Sequence, residues 1–178
     1  MSPAVFFDRD GTLIETQVVD GRPVADNSVE GCRFLPGARE TCLALESAGI
    51  RTFLITNQPD VARGKVSIDA VRSINAYVAD HCILTDTFTC THDDADDCLC
   101  RKPKPGMITE LALRHGVDLD LSVVVGDRWR DVEAGRSAGC LTLFIDYGYD
   151  EPMVVEPSWR VNSMLDAGLI LRKHFQIS

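Results

Sequence analysis

Five short apolar runs rich in Val, Ile, Phe and Thr, at residues 4–7, 52–55, 86–89, 122–125 and 141–145, are separated by stretches with helical spacing. The runs lack strict alternation, which reads as strands buried on both faces. Helices are expected at 37–48, where Leu43, Leu45 and Ala48 share a face, and at 67–79, 106–114 and 131–138. Gly49, Gly116 and Gly139 follow three of these segments, where a left-handed cap favours glycine. Strands alternating with helices imply a parallel sheet with right-handed crossovers, a doubly wound, Rossmann-like α/β fold. In such a fold ligands collect beyond the carboxyl ends of the strands. Asp8 and Asp10 follow the first strand, Thr56 and Asn57 the second, and Gly126 and Asp127 the fourth, so all converge on one edge. Stretches 20–34 and 149–158 contain proline and acids and read as surface loops, the second leading to a last helix near 161–173.

The chain of 178 residues suits one domain spanning 1–178, and its 45% hydrophobic content supports a continuous core. A formal net charge of -9 argues against a broad nucleic-acid surface, which needs clustered Lys and Arg. It leaves room for a small phosphorylated substrate, because a few aimed cations and a bound metal can dominate a local field. No apolar stretch is long enough to span a bilayer, so a cytoplasmic protein without membrane contact is expected, as a monomer or small homo-oligomer. Seven cysteines, three of them gathered with a histidine between positions 90 and 100, suit metal ligation in a reducing compartment better than a disulfide framework.

The segment Phe6-Phe7-Asp8-Arg9-Asp10-Gly11-Thr12-Leu13 runs an apolar strand straight into two carboxylates one residue apart, then glycine. The carboxylates repel unless a cation lies between them, and a hard metal with oxygen ligands, Mg²⁺ above all, is the natural partner. Taken alone, Asp and Gly could equally serve as turn formers. The segment Asp8-Arg9-Asp10-Gly11-Thr12 resembles the first motif of the haloacid dehalogenase superfamily, and the rest of that pattern follows in order. Thr56 stands in Leu54-Ile55-Thr56-Asn57-Gln58, Lys102 in Arg101-Lys102-Pro103-Lys104-Pro105, and Val125-Gly126-Asp127-Arg128 with Asp131 closes the set.

The resemblance implies a phosphatase in which Asp8 attacks phosphorus and Asp10 protonates the leaving alcohol, then deprotonates water. It places Thr56 and Asn57 at the transferring phosphoryl group, with Lys102 neutralising its charge, and Gln58 among the substrate-binding residues. Mg²⁺ would be held by the Asp8 side chain, the Asp10 carbonyl and Asp127, with Asp131 supporting from behind. From the residues themselves, Arg63, Arg101 and Arg128 are candidates for the part of the substrate that is not cleaved, since an Arg fork matches phosphate or vicinal hydroxyls.

Cys90-Thr91-His92, five residues, then Cys98-Leu99-Cys100 offer three thiolates and an imidazole, a complete tetrahedral Zn²⁺ set with no open position. A disulfide is the rival reading, and it would leave a Cys and the His without purpose. The loop ends at Cys100, just before Arg101 and Lys102, so a metal clip there would aim both. This loop narrows the resemblance to the branch holding heptose bisphosphate and histidinol-phosphate phosphatases. Ala62-Arg63-Gly64 and Lys104-Pro105-Gly106-Met107 look more like the heptose enzymes, which implies removal of the 7-phosphate from D-glycero-D-manno-heptose 1,7-bisphosphate. The chain departs from them at Pro59 and across 15–22, where substrate recognition is expected. A phosphatase for histidinol phosphate, a nucleic-acid 3′-phosphatase and a non-catalytic zinc-loop binding module are the alternatives. No inserted segment is long enough for a separate cap domain, so an open site is expected.

Overall fold

The computed structural model describes residues 1–19, 22–25 and 28–177. In chain order the strands are β1 (Ala4–Phe7), β2 (Thr16–Val19), β3 (Arg22–Ala25), β4 (Arg51–Asn57), β5 (Asp86–Cys90), β6 (Val123–Gly126), β7 (Leu141–Ile145) and β8 (Trp159–Val161). The helices are α1 (Ala38–Ser47), α2 (Ile68–Cys82), α3 (Gly106–His115), α4 (Trp129–Ala138) and α5 (Met164–His174). Six strands form one sheet in the order β5-β4-β1-β6-β7-β8, every pair parallel, and β2 and β3 form a separate antiparallel hairpin. This is the doubly wound α/β architecture expected from the alternation of runs.

Each face of the sheet has its own core, and the period of two along β1 divides its side chains between them. Val5 and Phe7 join Leu45, Ile74, Val78 and Leu171 under α1, α2 and α5. Ala4 and Phe6 join Phe53, Met107, Ile108 and Ala134 under α3 and α4, with the Phe6 and Phe53 rings stacked at 5.1 Å. Burial on both faces is why the central strands read as continuous apolar runs. Ser67 caps α2 by accepting from the Ala70 N–H at 3.1 Å, and Ser163 caps α5 by accepting from the Asp166 N–H.

Three local expectations need correction. Leu43 is exposed and the buried face of α1 is Ala38, Thr41, Cys42 and Leu45, a stripe that includes a threonine. The last helix, expected near 161–173, begins only at Met164, and residues 159–161 pair with β7 as an edge strand. The stretch read as a loop from residue 20 holds β3, paired with β2. The hairpin lies between β1 and α1, and α2 alone bridges β4 and β5, so among the described residues nothing amounts to a cap domain.

Candidate active site

The carboxyl ends of β1, β4 and β6 meet at a cleft of about 590 Å³. Register dictates this meeting: Phe7 lies opposite Leu54 on β4 and Val125 on β6, so the residues that follow emerge together. The Asp8 N–H donates to the Val125 carbonyl at 2.9 Å. After it the chain turns back on itself, with the Leu13 N–H donating to the Arg9 carbonyl at 2.9 Å. Gly11 has φ of +77°, and a Cβ there would lie 2.1 Å from Asp127 Oδ2, so only glycine lets this turn approach that carboxylate. Gly126 has a similar reason: a Cβ would meet the Asp131 carboxyl carbon at 2.2 Å.

Lys102 is buried, and its ammonium contacts Asp8 Oδ1 at 2.8 Å, Asp131 Oδ1 at 2.6 Å and the Ile55 carbonyl at 3.0 Å. Three partners match the three N–H donors of an ammonium. Burial alone would depress the Lys102 pKa, but the charges of Asp131 and Asp8 outweigh it and hold the group raised. Burial raises Asp8 to about 6, with Lys102 pulling the other way and Asp131 and Asp10 adding to the rise.

Asp127 is pushed well above the ordinary carboxylate range by burial and by the charges of Asp8 and Asp131. Both its carboxylate oxygens are buried without a geometric hydrogen-bond partner, and the nearby Tyr149 hydroxyl only partly offsets the rise. Asp8, Asp127 and Asp131 each bring an oxygen within 4.8 Å of the others. The Asp131 oxygens are committed, Oδ1 to Lys102 and Oδ2 to the Arg128 N–H at 3.1 Å. That leaves Asp8 and Asp127 facing one another with negative charge to share, a donor set that fits a hard divalent cation.

The residues after β4 are tied to this centre by their side chains. Asn57 forms a two-way bridge to the Lys102 backbone, its Nδ2 donating to the carbonyl at 3.0 Å and its Oδ1 accepting from the N–H at 3.1 Å. It thereby sets the Lys102 backbone in place. Gln58 Nε2 donates to Asp10 Oδ2 at 2.8 Å and to the Thr56 hydroxyl at 2.9 Å.

Cys90, His92, Cys98 and Cys100 converge at one point, with separations of 3.6 Å from Cys90 Sγ to His92 Nδ1, 3.7 Å from Cys90 Sγ to Cys98 Sγ, and 3.4 Å from Cys100 Sγ to each of Cys98 Sγ and His92 Nδ1. Bond lengths to zinc imply tetrahedral edges of roughly 3.7 Å between sulfurs and about 3.5 Å between sulfur and nitrogen. The spacings fit a zinc tetrahedron and are far longer than a disulfide bond, and all these thiols are free. Gly106, at the start of α3, packs against the loop so closely that a Cβ would lie 2.2 Å from the Leu99 carbonyl oxygen.

The three arginines singled out in the sequence all border the cleft, in two groups. Arg63 forks onto Asp93, holding that carboxyl down at about 2. Arg101 donates to Asp94 Oδ1 at 2.8 Å, and Arg130, which the sequence reading did not single out, reaches the same oxygen at 3.4 Å. Arg128 stands apart: it forks onto Glu151 and lies 5.8 Å from the centre of the Tyr149 ring.

A model for haloacid dehalogenase-like hydrolases matches residues 19–139. The chain belongs to that family. It is 38% identical over 149 residues to a D-glycero-beta-D-manno-heptose-1,7-bisphosphate 7-phosphatase of Rhodopseudomonas palustris, covering 77% of this chain and 79% of that one. A Vibrio cholerae protein of the same name is 35% identical over 80% of each chain. Among solved structures, the D,D-heptose 1,7-bisphosphate phosphatase of B. bronchiseptica, crystallised with magnesium and phosphate, superposes with a TM-score of 0.81 at 28% identity, covering 97% of this chain and 99% of that one.

Some residues of this family member's cleft carried little signal in the sequence. Tyr149 and Glu151 come from the segment read as a surface loop, and nothing in their spacing points inward. Arg9 had a signal, since a cation between two aspartates has an obvious partner. Asn75 had one too, as the polar member of a helical stripe with Val71, Ile74 and Val78.

Proposed function

We propose that the chain is a Mg²⁺-dependent phosphomonoesterase that removes the 7-phosphate of D-glycero-D-manno-heptose 1,7-bisphosphate. The observation that carries the chemistry is the buried Asp8–Lys102–Asp131 array beside the unpartnered Asp127 carboxylate. Asp8, the Asp10 carbonyl and Asp127 would hold Mg²⁺, which when bound neutralises charge on the phosphoryl oxygens. Asp8 then attacks phosphorus, the bond to the ester oxygen breaks, and Asp10 gives its proton to the departing alkoxide. Water next attacks the aspartyl-phosphate, Asp10 takes a proton from it, and Asp8 is released with inorganic phosphate. Lys102 stays within reach of the Asp8 carboxylate throughout, where its charge stabilises the transferring group. Thr56 and Asn57 would hold the transferring phosphoryl oxygens, with Asn57 also fixing the Lys102 backbone and Gln58 lining the cleft beside them.

The substrate assignment draws on the relatives of that name and on the arginines at the rim. Arg63 and Arg101 sit on one side with Arg130, and Arg128 on another, so a second anionic group would meet an arginine by displacing Asp93, Asp94 or Glu151. The zinc loop, with Zn²⁺ on Cys90, His92, Cys98 and Cys100, fixes the segment from which Arg101 and Lys102 project. Asp150, which lines the cleft beside the Arg128-paired Glu151, favours a second reading, a phosphate ester with a distal amine such as histidinol phosphate. Phosphate release from both substrates, in wild type and Arg101→Ala, separates the two. The heptose reading expects the bisphosphate to be preferred and to lose several-fold more kcat/KM in the variant. A preference for histidinol phosphate, or equal losses, overturns it.

A further inference from the structure

Among the described residues Arg9 is the bulkiest fully buried side chain, 0% exposed, and in sequence it stands between the two motif aspartates. Burying a cation is costly unless it is paired and its donors are used. Its Nε donates to Asp10 Oδ1 at 3.0 Å and one terminal nitrogen to Asp10 Oδ2 at 2.9 Å, a bidentate fork. The other terminal nitrogen donates to Asn75 Oδ1 at 2.9 Å. Asn75, itself buried on α2, donates through Nδ2 to the Thr89 hydroxyl at 2.8 Å. Thr89 lies on β5 next to Cys90 and opposite Thr56.

We infer that Arg9, Asn75 and Thr89 form a positioning chain that aims the Asp10 carboxyl, so that proton delivery depends on residues of α2 and β5 that touch no substrate. The inference rests on the reading of Asp10 as the proton donor. A planar fork fixes the plane of the carboxyl it grips, but only as firmly as the guanidinium itself is held. Asn75 is the third anchor that stops the guanidinium from rotating with Asp10, and Thr89 fixes the orientation of the Asn75 amide. Gln58 steadies Asp10 from the other side, and its own N–H donates to the Cys90 carbonyl at 2.7 Å. Both supports of Asp10 are therefore rooted at the end of β5, where the zinc loop begins.

If Arg9 were only a charge neutraliser, loosening its far end would affect stability and leave the choice among substrates untouched. A positioning role instead predicts a loss that depends on the leaving group. An alkyl alcohol leaves poorly without a proton, whereas 4-nitrophenolate leaves without help, and kcat/KM reports the steps up to its departure. The experiment compares kcat/KM for an alkyl phosphate substrate and for 4-nitrophenyl phosphate in wild type, Asn75→Leu, Thr89→Val, Thr89→Ser and Asp10→Asn. Asn75→Leu is expected to lose about tenfold or more on the alkyl ester, since small misplacements of a reacting group are expensive, and no more than about twofold on the nitrophenyl ester. Thr89→Val, nearly isosteric and on a strand, shows the same selectivity at smaller size, and Thr89→Ser, which keeps the hydroxyl, behaves as wild type. Equal losses on the two esters, or no loss in either Asn75→Leu or Thr89→Val, overturn the positioning chain while a selective loss in Asp10→Asn keeps the proton-donor reading. An unselective Asp10→Asn overturns both.

Discussion

Asp127 concentrates the electrostatic tension of the site, with two buried oxygens, no hydrogen bond to either, and the charges of Asp8 and Asp131 beside it. Without a cation the folded state binds protons at Asp8 and Asp127 more tightly than the unfolded chain does. The stability from this source is therefore fully present below about the ordinary carboxylate value of 3.8 and is lost as pH rises through about 6, where Asp8 titrates. Melting temperature in chelator should fall across that window, and Mg²⁺ should restore it above pH 6 by favouring the ionised pair. Asp127→Asn should raise the chelator-form melting temperature at pH 7.5, abolish the response to Mg²⁺ and reduce turnover by about 10²-fold or more, as expected when a charge that stabilises the transition state loses its holder. A variant that still gains stability from Mg²⁺ would remove Asp127 from the metal site. Much at this scale was legible in the sequence, because Asp8, Lys102, Asp127 and Asp131 belong to short motifs whose order and strand-end placement carry meaning. The Arg9–Asn75 contact joins residues 66 apart, and no local spacing encodes it. The bridge from the Asn57 amide to the Lys102 backbone likewise joins residues 45 apart.

The Cys/His loop at 90–100 is the element on which the site leans most. Its exposed acidic stretch forms a single turn of 3-10 helix at Asp94–Asp96, with no buried residue of its own, so apolar packing cannot hold it. Within it the Cys90, His92, Cys98 and Cys100 side chains converge in a set that fits a zinc ion, and ion pairs with Arg63, Arg101, Arg130 and Lys104 reach out of it. Exposed pairs are worth little each, so a zinc ion on these four side chains, as proposed, would be the dominant clamp. Elemental analysis after dialysis should find one zinc per chain, and Cys98→Ser should lower melting temperature and cut kcat/KM about tenfold, within the range known for loss of a supporting ligand shell. Full activity in zinc-free protein would overturn this. Core strands and helices were legible from apolar runs and capping residues. The edge strand β8 was not, because three residues carry too little periodicity, and its partner β7 lies 16 residues away in register at Leu143 and Trp159. On α1 the apolar count suggested Leu43, but α5 approaches from the side of Thr41, close enough that Gly168 has no room for a Cβ.

At the scale of the whole molecule, the formal charge of -9 and the site stand in tension. The described residues lining the cleft include eight carboxylates against five cations, so the mouth is no positive funnel, and the three rim arginines on the zinc-loop side are largely neutralised by Asp93 and Asp94. Attraction for a phosphate must then arise within a few ångström, where Lys102, a bound cation and an arginine fork can act, while at longer range the protein repels its substrate. The screening length shrinks from about 30 Å at 0.01 M salt to about 10 Å at 0.1 M, which removes the long-range repulsion before it weakens the buried contacts. For a doubly phosphorylated substrate, kcat/KM at fixed free Mg²⁺ should hold steady or rise as salt increases over that range. Enzymes that steer an anion with a cationic surface show the opposite slope. The effect should scale with substrate charge, so a monophosphate provides the internal control and should respond less. A steep fall with salt, larger for the bisphosphate, would mean that substrate binding frees the rim arginines from Asp93 and Asp94 early enough for them to act at a distance.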